Sequence, residues 1–243
     1  RRTLALMVGT SGAMRVLNPS GPPAPPEGLW AYLLDGRRFL LGGALSNGGS
    51  LYTWLTRNLN VGHREHLERE MAAMAPDSHG LTFLPFFMGE RSPGWRGDAR
   101  AAIIGLSGHT SPAGIVRAGL EAVAYRFALI YERLRDRLGE PAERRIIATG
   151  GALLHSPVWM QIVADVLNEP LVASREAQAS ERGAALMALE ALRVLPSIGA
   201  ARFPMGQTYT PDPERHARYQ EGLARHRELY RLLVEDQRPE TRD

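Results

Sequence analysis

The chain contains neither cysteine nor lysine among its 243 residues. Without cysteine it can form no disulfide and no thiolate metal site, and it has no cysteine nucleophile. The absence of cysteine does not indicate in which redox compartment the protein works. No apolar run approaches the roughly 18 residues that a membrane helix needs, and no signal peptide opens the chain. We therefore expect a cytoplasmic protein with no membrane partner.

The charge of the chain is nearly balanced although its only strong bases are arginines. The 29 basic residues face 26 acids, which leaves a net charge of +3. The arginines are spread along helical segments beside glutamates, as in ERLRDRLGEPAERR. A nucleic-acid binder would more often gather its positive charge on one face, so we expect no nucleic-acid partner.

The length of the chain suits one large domain or two small ones, and 44% apolar residues are ordinary for a globular protein. Its first residues, RRTLALMV, lack an initiating methionine and lead directly into an apolar run. We interpret this start as the middle of a longer polypeptide.

Short apolar runs predict the strands. Strands are expected at 3–9 and 13–17, followed by a proline-rich connection at 19–28. Asp35-Gly36 between two apolar runs predicts a hairpin, in which Asp35 is a turn residue and not a catalyst. Further strands are expected in GLTFLPFF, AAIIGLS, RRIIATGG and PLVAS.

Helical periodicity and caps predict the helices. An apolar stripe at helical spacing predicts a core helix over 112–138; it consists of Val116, Leu120, Val123, Phe127, Ile130 and Leu134. Ser156 and Pro157 have the residue types of an N-cap and a first helical position. Other helices are expected near Ser50 and at 64–74, 180–192 and 213–235. The alternation predicts an α/β domain with a mixed sheet flanked by helices.

Three glycine clusters, GTSG (9–12), SNGGS (46–50) and ATGGA (148–152), each lie where a strand ends or a helix begins. A glycine-rich turn exposes backbone N–H groups, and hydroxyls add donors, as phosphate requires. A tight hairpin also favours glycine, so one cluster by itself says little. Because ligands of α/β sheets bind at strand ends, three such clusters indicate a nucleotide cleft.

Six segments in one order resemble the C-terminal domain of the FGGY carbohydrate kinases over residues 3–235. They are GTSGAMRV, GGALSNGGSLYTWL, LPFFMGERSPGW, GLEAVAYRF, ATGGALLHSPVWMQIVADVL and ERGAALMALEAL. Within the family the chain looks most like gluconokinases, with xylulokinases and glycerol kinases as the alternatives.

The resemblance implies a ribonuclease H-like fold of the actin and hexokinase type. It implies that residues 1–243 are the nucleotide-binding half of such a kinase. The other half, an N-terminal sugar-binding domain, is absent from this chain. The reaction would transfer the γ-phosphoryl of MgATP to a hydroxyl of a sugar or sugar acid, which depends mainly on positioning and charge neutralisation. ATP and Mg²⁺ are thus the implied cofactors, and a homodimer is possible because many relatives are dimers.

The resemblance also assigns roles to individual residues. Thr10 would hydrogen-bond phosphate, and Glu90 and Arg91 of the GER motif would either support the closed cleft or form a structural ion pair. The implied nucleotide contacts are Gly9, Thr10, Ser11, Gly12, Gly48, Gly49, Thr53, Gly150, Gly151, Ala152, and His155 or Ser156 against adenine.

The family's catalytic base, an aspartate that accepts the proton of the sugar hydroxyl, would lie upstream of the first strand and therefore outside this chain. Asp98 and Asp165 belong to other motifs and do not replace it. We therefore expect no catalytic residue here and no activity of the isolated chain. The alternatives from other classes are a non-catalytic nucleotide-binding or assembly module and an actin-like ATPase.

A metal site would have to begin from His63 and His66, which could share a helix face. Zinc needs further ligands, and the sequence offers no cysteine and no nearby cluster that would supply them. We therefore expect an exposed polar helix start and no protein-held metal; Mg²⁺ would enter with ATP.

Overall fold

A seven-stranded mixed sheet forms the centre of the molecule in the computed structural model, which describes residues 2–18, 24–139 and 144–237. The strands are β1 (Arg2–Val8), β2 (Gly12–Asn18), β3 (Trp30–Leu33), β4 (Phe39–Leu45), β5 (Thr82–Leu84), β6 (Ala102–Ile104), β7 (Arg144–Thr149), β8 (Leu171–Ser174) and β9 (Met205–Tyr209). The α-helices are α1 (Gly49–Asn58), α2 (Arg64–Ala73), α3 (Pro112–Leu134), α4 (Gly151–Leu154), α5 (Pro157–Leu167), α6 (Ala179–Ala191) and α7 (Pro213–Tyr230).

The strand order in the main sheet is β3-β4-β2-β1-β7-β8-β9. The first four strands pair antiparallel, β1 pairs parallel with β7 and β7 with β8, and β9 closes the edge antiparallel. The remaining strands, β5 and β6, form a separate antiparallel pair. The predicted mixed sheet flanked by helices is therefore confirmed.

The helix α3 is the centre of the apolar core. All six residues of the predicted stripe are fully buried, at 0% exposure, and each such side chain stabilises the fold by roughly 1.5–3 kcal/mol. Ser111 caps the helix by accepting the N–H of Gly114 at 3.0 Å, and Pro112 occupies the first turn. The α-helix ends at Leu134 and continues as a 3₁₀ turn over Arg135–Arg137, because GEP follows and breaks the pattern.

The Asp35-Gly36 hairpin is confirmed. The Asp35 carboxylate accepts the backbone N–H groups of Arg37 and Arg38 at 2.9 and 2.8 Å, which closes the turn between β3 and β4. These bonds and the Arg38 side chain lower the pKa of Asp35 to about 2. The proline-rich connection falls partly outside the described residues, at 19–23.

The predicted helix boundaries agree with the structure within a few residues, except that the last helix changes at Arg231 to a π-helical turn over Arg231–Glu235. Strand β9 is an edge strand that the sequence analysis did not predict, since its residues alternate too weakly. In the described part of the chain no helix is long and apolar enough to cross a membrane.

Candidate functional site

The three glycine clusters meet at one edge of the main sheet. Strands β1, β4 and β7 run in the same direction, because β1 and β4 are both antiparallel to β2 and β7 is parallel to β1. Their carboxyl ends, at Val8, Leu45 and Thr149, therefore lie at the same edge, and each glycine cluster follows one of them. Ligands of α/β sheets bind at such an edge.

Backbone hydrogen bonds join the first two clusters directly. The N–H of Gly49 donates to the carbonyl of Gly9 at 2.7 Å, and those of Gly48 and Ser50 donate to the carbonyl of Thr10 at 3.2 and 3.0 Å. The first N–H groups of α1 are thus engaged with the GTSG turn and are not free for a ligand.

The donors that remain available belong to the GTSG turn itself. Among the described residues, none accepts a hydrogen bond from the backbone N–H groups of Thr10 and Ser11 or from the exposed hydroxyl of Thr10. Exposed N–H groups in a glycine-rich turn form an anion-binding concavity. The turn can therefore offer two N–H groups and a hydroxyl to a phosphate.

A cleft of about 880 Å³ opens over this turn, and we call it the glycine-rich cleft. Its walls come from the GTSG turn, α1, the start of α2 and α4; they are lined by Gly9, Thr10, Gly49, Ser50, Tyr52, Thr53, Trp54, Arg57, Asn58, Arg64, Gly151, Ala152 and His155. Two arginines and no carboxylate line it in the described part of the chain. The cleft therefore has the size and the charge to accept a polyanion such as a nucleoside triphosphate.

The walls of the cleft contain seven of the twelve residues that the sequence analysis assigned to nucleotide contacts. They are Gly9, Thr10, Gly49, Thr53, Gly151, Ala152 and His155. The other five, Ser11, Gly12, Gly48, Gly150 and Ser156, lie outside the lining.

Four of those five residues have visible structural roles, and the fifth, Ser11, belongs to the GTSG turn. A Cβ on Gly12 would lie 2.7 Å from the Phe127 ring, and one on Gly48 would lie 2.8 Å from the Ser11 carbonyl. Gly150 has φ +91°, which favours glycine. The buried Ser156 hydroxyl accepts the Trp159 N–H at 3.2 Å and donates to Glu68 at 2.6 Å.

The sequence analysis missed several wall residues on α1 and α2. The lining residues without a predicted contact are Ser50, Tyr52, Trp54, Arg57, Asn58 and Arg64. Arg64 stands between the two histidines that were considered for a metal. Helical spacing gives the available signal, since Tyr52 and Thr53 lie about one turn beyond Gly49.

Glu90 and Arg91 of the GER motif lie in different environments in the structure. Glu90 is buried, and its carboxylate accepts the N–H of Gly94 at 3.0 Å, the hydroxyl of Tyr230 at 2.6 Å and the Arg126 guanidinium. Arg91 is exposed. Neither side chain lines the glycine-rich cleft.

Arg126 completes this buried network and was not identified from the sequence. Its guanidinium carbon lies 5.0 Å from the Phe86 ring centroid and 4.8 Å from that of Tyr230. Burial lowers the pKa of Arg126, and the Glu90 charge opposes that effect. A charged residue within the apolar pattern of α3 was the signal that could have found it.

Neither rejected aspartate reaches the glycine-rich cleft. Asp98 is exposed and pairs with Arg96, whose hydrogen bonds lower the pKa of Asp98 to about 2. Asp165 is buried in α5, where it accepts Gln161 Nε2 at 2.7 Å and the Asp212 N–H at 3.0 Å.

The described wall of the cleft offers no carboxylate to a divalent cation. A Mg²⁺ ion that entered with a polyphosphate would take most of its ligands from phosphate oxygens and water.

The histidines of HREH do not form a metal site with the other described residues. His63 occupies the N-cap position of α2 without a side-chain capping bond, and His66 Nε2 lies 3.5 Å from Glu70 on the exposed helix face. A group with suitable ligand spacing consists of Asp77, His79 and Glu121. Both carboxylates of this group form ion pairs with arginines, Asp77 with Arg225 and Glu121 with Arg117.

Comparison with known proteins places this geometry in a family context. A model described as the C-terminal domain of the FGGY family of carbohydrate kinases matches residues 4–192. The gluconokinase of Bacillus subtilis (strain 168) is 27% identical over 242 residues, which covers 95% of this chain and 46% of that protein. A glycerol kinase of Leptothrix cholodnii is 35% identical over 154 residues, 62% of this chain and 31% of that protein.

Solved structures of sugar kinases are also similar to this chain. A gluconate kinase from Lactobacillus acidophilus superimposes with a TM-score of 0.81 at 30% identity, covering 95% of this chain and 47% of that one. A ligand-bound xylulose kinase from the same organism has a TM-score of 0.83 at 29% identity, with coverage of 96% and 47%. The chain thus spans less than half the length of these relatives.

Proposed function

Because the chain belongs to the FGGY family of carbohydrate kinases and matches its C-terminal domain, we propose that the glycine-rich cleft binds MgATP for phosphoryl transfer to a sugar or sugar acid. The fold agrees with this premise, since the neighbouring sugar kinases have the ribonuclease H-like fold of the actin and hexokinase type. The observation that carries the proposal is the junction of the three glycine clusters over one cleft.

The GTSG turn would hold the terminal phosphates through the N–H groups of Thr10 and Ser11 and the hydroxyl of Thr10. α1 begins at the same place, and the positive end of its dipole favours negative charge there. Gly151 and Ala152 would lie against the nucleoside. ATP would supply the phosphoryl group, and its Mg²⁺ would neutralise part of the phosphate charge.

The sugar-binding half and the base that deprotonates the acceptor hydroxyl would belong to a preceding segment. In the described chain no carboxylate lines the cleft, so we expect binding without transfer from this chain alone. Gluconate is the acceptor we favour, because the gluconokinase matches 95% of the chain in sequence, against 62% for the glycerol kinase, and a gluconate kinase structure matches it as well. Xylulose and glycerol are the alternatives, as xylulose and glycerol kinases also match.

Calorimetric titration of the chain with MgATP tests the binding proposal. Thr10→Ala removes a hydroxyl that would bond a charged phosphate, a contact worth about 1.5–3 kcal/mol, so its Kd should rise roughly 10- to 100-fold. Thr208→Ala removes an exposed threonine hydroxyl from edge strand β9, outside the cleft, and serves as a control with little change. A folded chain that binds no MgATP would contradict the proposal.

The transfer proposal needs a chain that carries an N-terminal sugar-binding half. Such a protein should turn over ATP only with an acceptor, and gluconate, xylulose and glycerol can be compared directly. ATP binding without any acceptor-dependent turnover would favour the non-catalytic binding module, which the carboxylate-free cleft also fits.

A further inference from the structure

Arg64 occupies an unusual position on the wall of the glycine-rich cleft. It is the first residue of α2, and its Nη2 donates to the backbone carbonyl of His155 at 2.7 Å, across 91 residues of sequence. Its guanidinium carbon lies 6.0 Å from the ring centroid of Tyr52 on α1. One side chain therefore links α1, α2 and the end of α4.

This guanidinium keeps most of its binding capacity. Arginine has five N–H donors and a flat π-face, and in the described chain one hydrogen bond, to the His155 carbonyl, and the neighbouring Tyr52 ring engage Arg64. No carboxylate forms an ion pair with it among the described residues, and Glu68, about one turn further along α2, is hydrogen-bonded to Ser156. Burial raises the pKa of Tyr52, the Arg64 charge lowers it and the Glu68 charge raises it.

The position of Arg64 separates it from the proposed phosphate end. Tyr52 and His155, the two residues it contacts, lie about one helical turn beyond Gly49 and Gly151 respectively. Arg64 is therefore displaced from the GTSG turn, toward the side where a nucleoside would extend from its phosphates.

We propose that Arg64 is a specificity-determining residue that covers the face of a purine base and favours purine over pyrimidine nucleotides in this cleft. The inference rests on the proposed function. A planar guanidinium stacks on aromatic rings, and a purine offers it a larger face than a pyrimidine. The hydrogen bond to the His155 carbonyl holds the guanidinium in place, and the remaining donors can reach acceptors on the ring edge.

The test measures Kd for MgATP, MgCTP and inorganic tripolyphosphate with the wild-type chain and three variants. Arg64→Gln should weaken MgATP about 5- to 30-fold, as expected for loss of a cation–π contact. It should change tripolyphosphate less than about 2-fold and reduce the preference for ATP over CTP. Arg64→Lys keeps the charge and a donor for His155 but has no plane, so it should recover only part of that preference.

Arg57→Gln is the matched control, because it removes the same charge from the same cleft. It should weaken MgATP and tripolyphosphate by equal, small factors and leave the preference for purine unchanged. Circular dichroism melts confirm that each variant folds.

Two outcomes overturn the inference while leaving the proposed function intact. One is an equal loss of MgATP and tripolyphosphate binding in Arg64→Gln, which would make Arg64 a phosphate contact. The other is an unchanged ratio between ATP and CTP. Failure of the folded wild-type chain to bind any of the three ligands would instead overturn the proposed function, and the inference with it.

Discussion

At the scale of single residues, the glycines around the cleft do different things. A Cβ on Gly49 would lie 2.5 Å from the Gly9 carbonyl oxygen and 2.6 Å from the Ala152 Cβ, so this position is where all three glycine clusters touch. A Cβ on Gly151 would meet only the His155 ring, at 3.6 Å, which is an ordinary contact. Gly49 thus maintains the junction, whereas Gly151 leaves space for a ligand.

Gly49→Ala should therefore damage both stability and nucleotide binding. Inserting a methyl group where backbone cannot yield costs about 1–3 kcal/mol, and the GTSG turn must move away from α1. We expect a lower midpoint in urea and a higher Kd for MgATP. The control is Gly183→Ala in α6, where a Cβ meets nothing within 4 Å and alanine should stabilise the helix by up to about 1 kcal/mol. Equal behaviour of the two variants would contradict this explanation.

Glu90 tests the two interpretations of the GER motif. Glu90→Ala leaves the buried Arg126 without its carboxylate, which typically costs about 3–5 kcal/mol. Arg91→Ala removes an exposed side chain and should change stability by less than about 0.5 kcal/mol. Urea unfolding measures both. If Glu90→Ala keeps its stability, and fails only in turnover by a complete kinase, the motif supports the closed cleft and not the fold.

His226 should make stability depend on pH. Burial lowers its pKa to about 3, and the charges of Arg126 and Arg227 act in the same direction. The unfolded chain takes up a proton near pH 6.5 and the folded chain only near pH 3, so this stability is complete above pH 6.5 and is lost as the pH falls toward 3. The slope is about 1.4 kcal/mol per pH unit while only the unfolded state is protonated.

His226→Gln should remove that slope. Between pH 7.0, 6.0 and 5.0 the free energy of unfolding should fall less steeply in the variant than in wild type. The difference in slope should correspond to the uptake of about one proton on unfolding. His109→Gln, in an exposed loop, changes the histidine count without touching the core and should follow wild type. Parallel pH profiles for wild type and His226→Gln would refute the assignment.

At the scale of elements, the helices differ in how firmly they are held. Every residue of α5 from Ile162 to Leu167 is buried, whereas α6 contains no buried residue in the described structure. Polar contacts form near both ends of α6, and Arg182 near its start binds Glu176. Glu190, for example, binds Arg38 and the N–H of Ile198.

The N-cap of α5 connects two helices, and its loss should cost more than the loss of an ordinary cap. Ser156 is 1% exposed and joins the Trp159 N–H to Glu68 of α2. Ser156→Ala should destabilise the chain by up to about 2 kcal/mol, and Ser111→Ala, at the exposed cap of α3, by about 1 kcal/mol. Thermal or urea unfolding compares them. A drop in MgATP affinity with unchanged stability would instead identify Ser156 as a nucleotide contact.

At the scale of the whole molecule, one apolar cluster joins the main sheet to α1, α2, α3, α5 and α7. A smaller cluster consists of Leu84, Phe86, Ala99, Tyr230 and Val234, of which Phe86 and Tyr230 contact Arg126. Helix α7 contributes residues to both clusters, and Arg126 connects α3 to the smaller one, so we expect the chain to unfold in one cooperative step.

MgATP should raise the stability of that single transition. A ligand that binds only the folded state adds about 2.7 kcal/mol at a concentration of 100 Kd. Urea titrations followed by circular dichroism, with and without MgATP, measure this shift, and Mg²⁺ with adenosine serves as the control. Two separated transitions would show that the clusters fold independently, and an unshifted midpoint would argue against nucleotide binding.

The sequence by itself determined the local elements and the type of fold. Helical spacing located α3, Ser156-Pro157 located the start of α5, and Asp35-Gly36 located the hairpin, because each of these signals acts between near neighbours in the chain. The six segments that resemble FGGY kinases identified the family and the glycine clusters that lie together. These features are readable because periodicity, caps and turn residues have the same energetic consequence in any fold.

Only the tertiary structure decided which residues share a site. The N–H groups of Gly48 and Gly49, expected near phosphate, are hydrogen-bonded to the GTSG turn. Arg64, on the wall of the cleft, donates to the carbonyl of His155, which is 91 residues away in the sequence. Arg126 lies 36 residues from the Glu90 that it neutralises. Such partners depend on strand order and helix packing, which bring distant segments together, and no local pattern in the sequence carries that information.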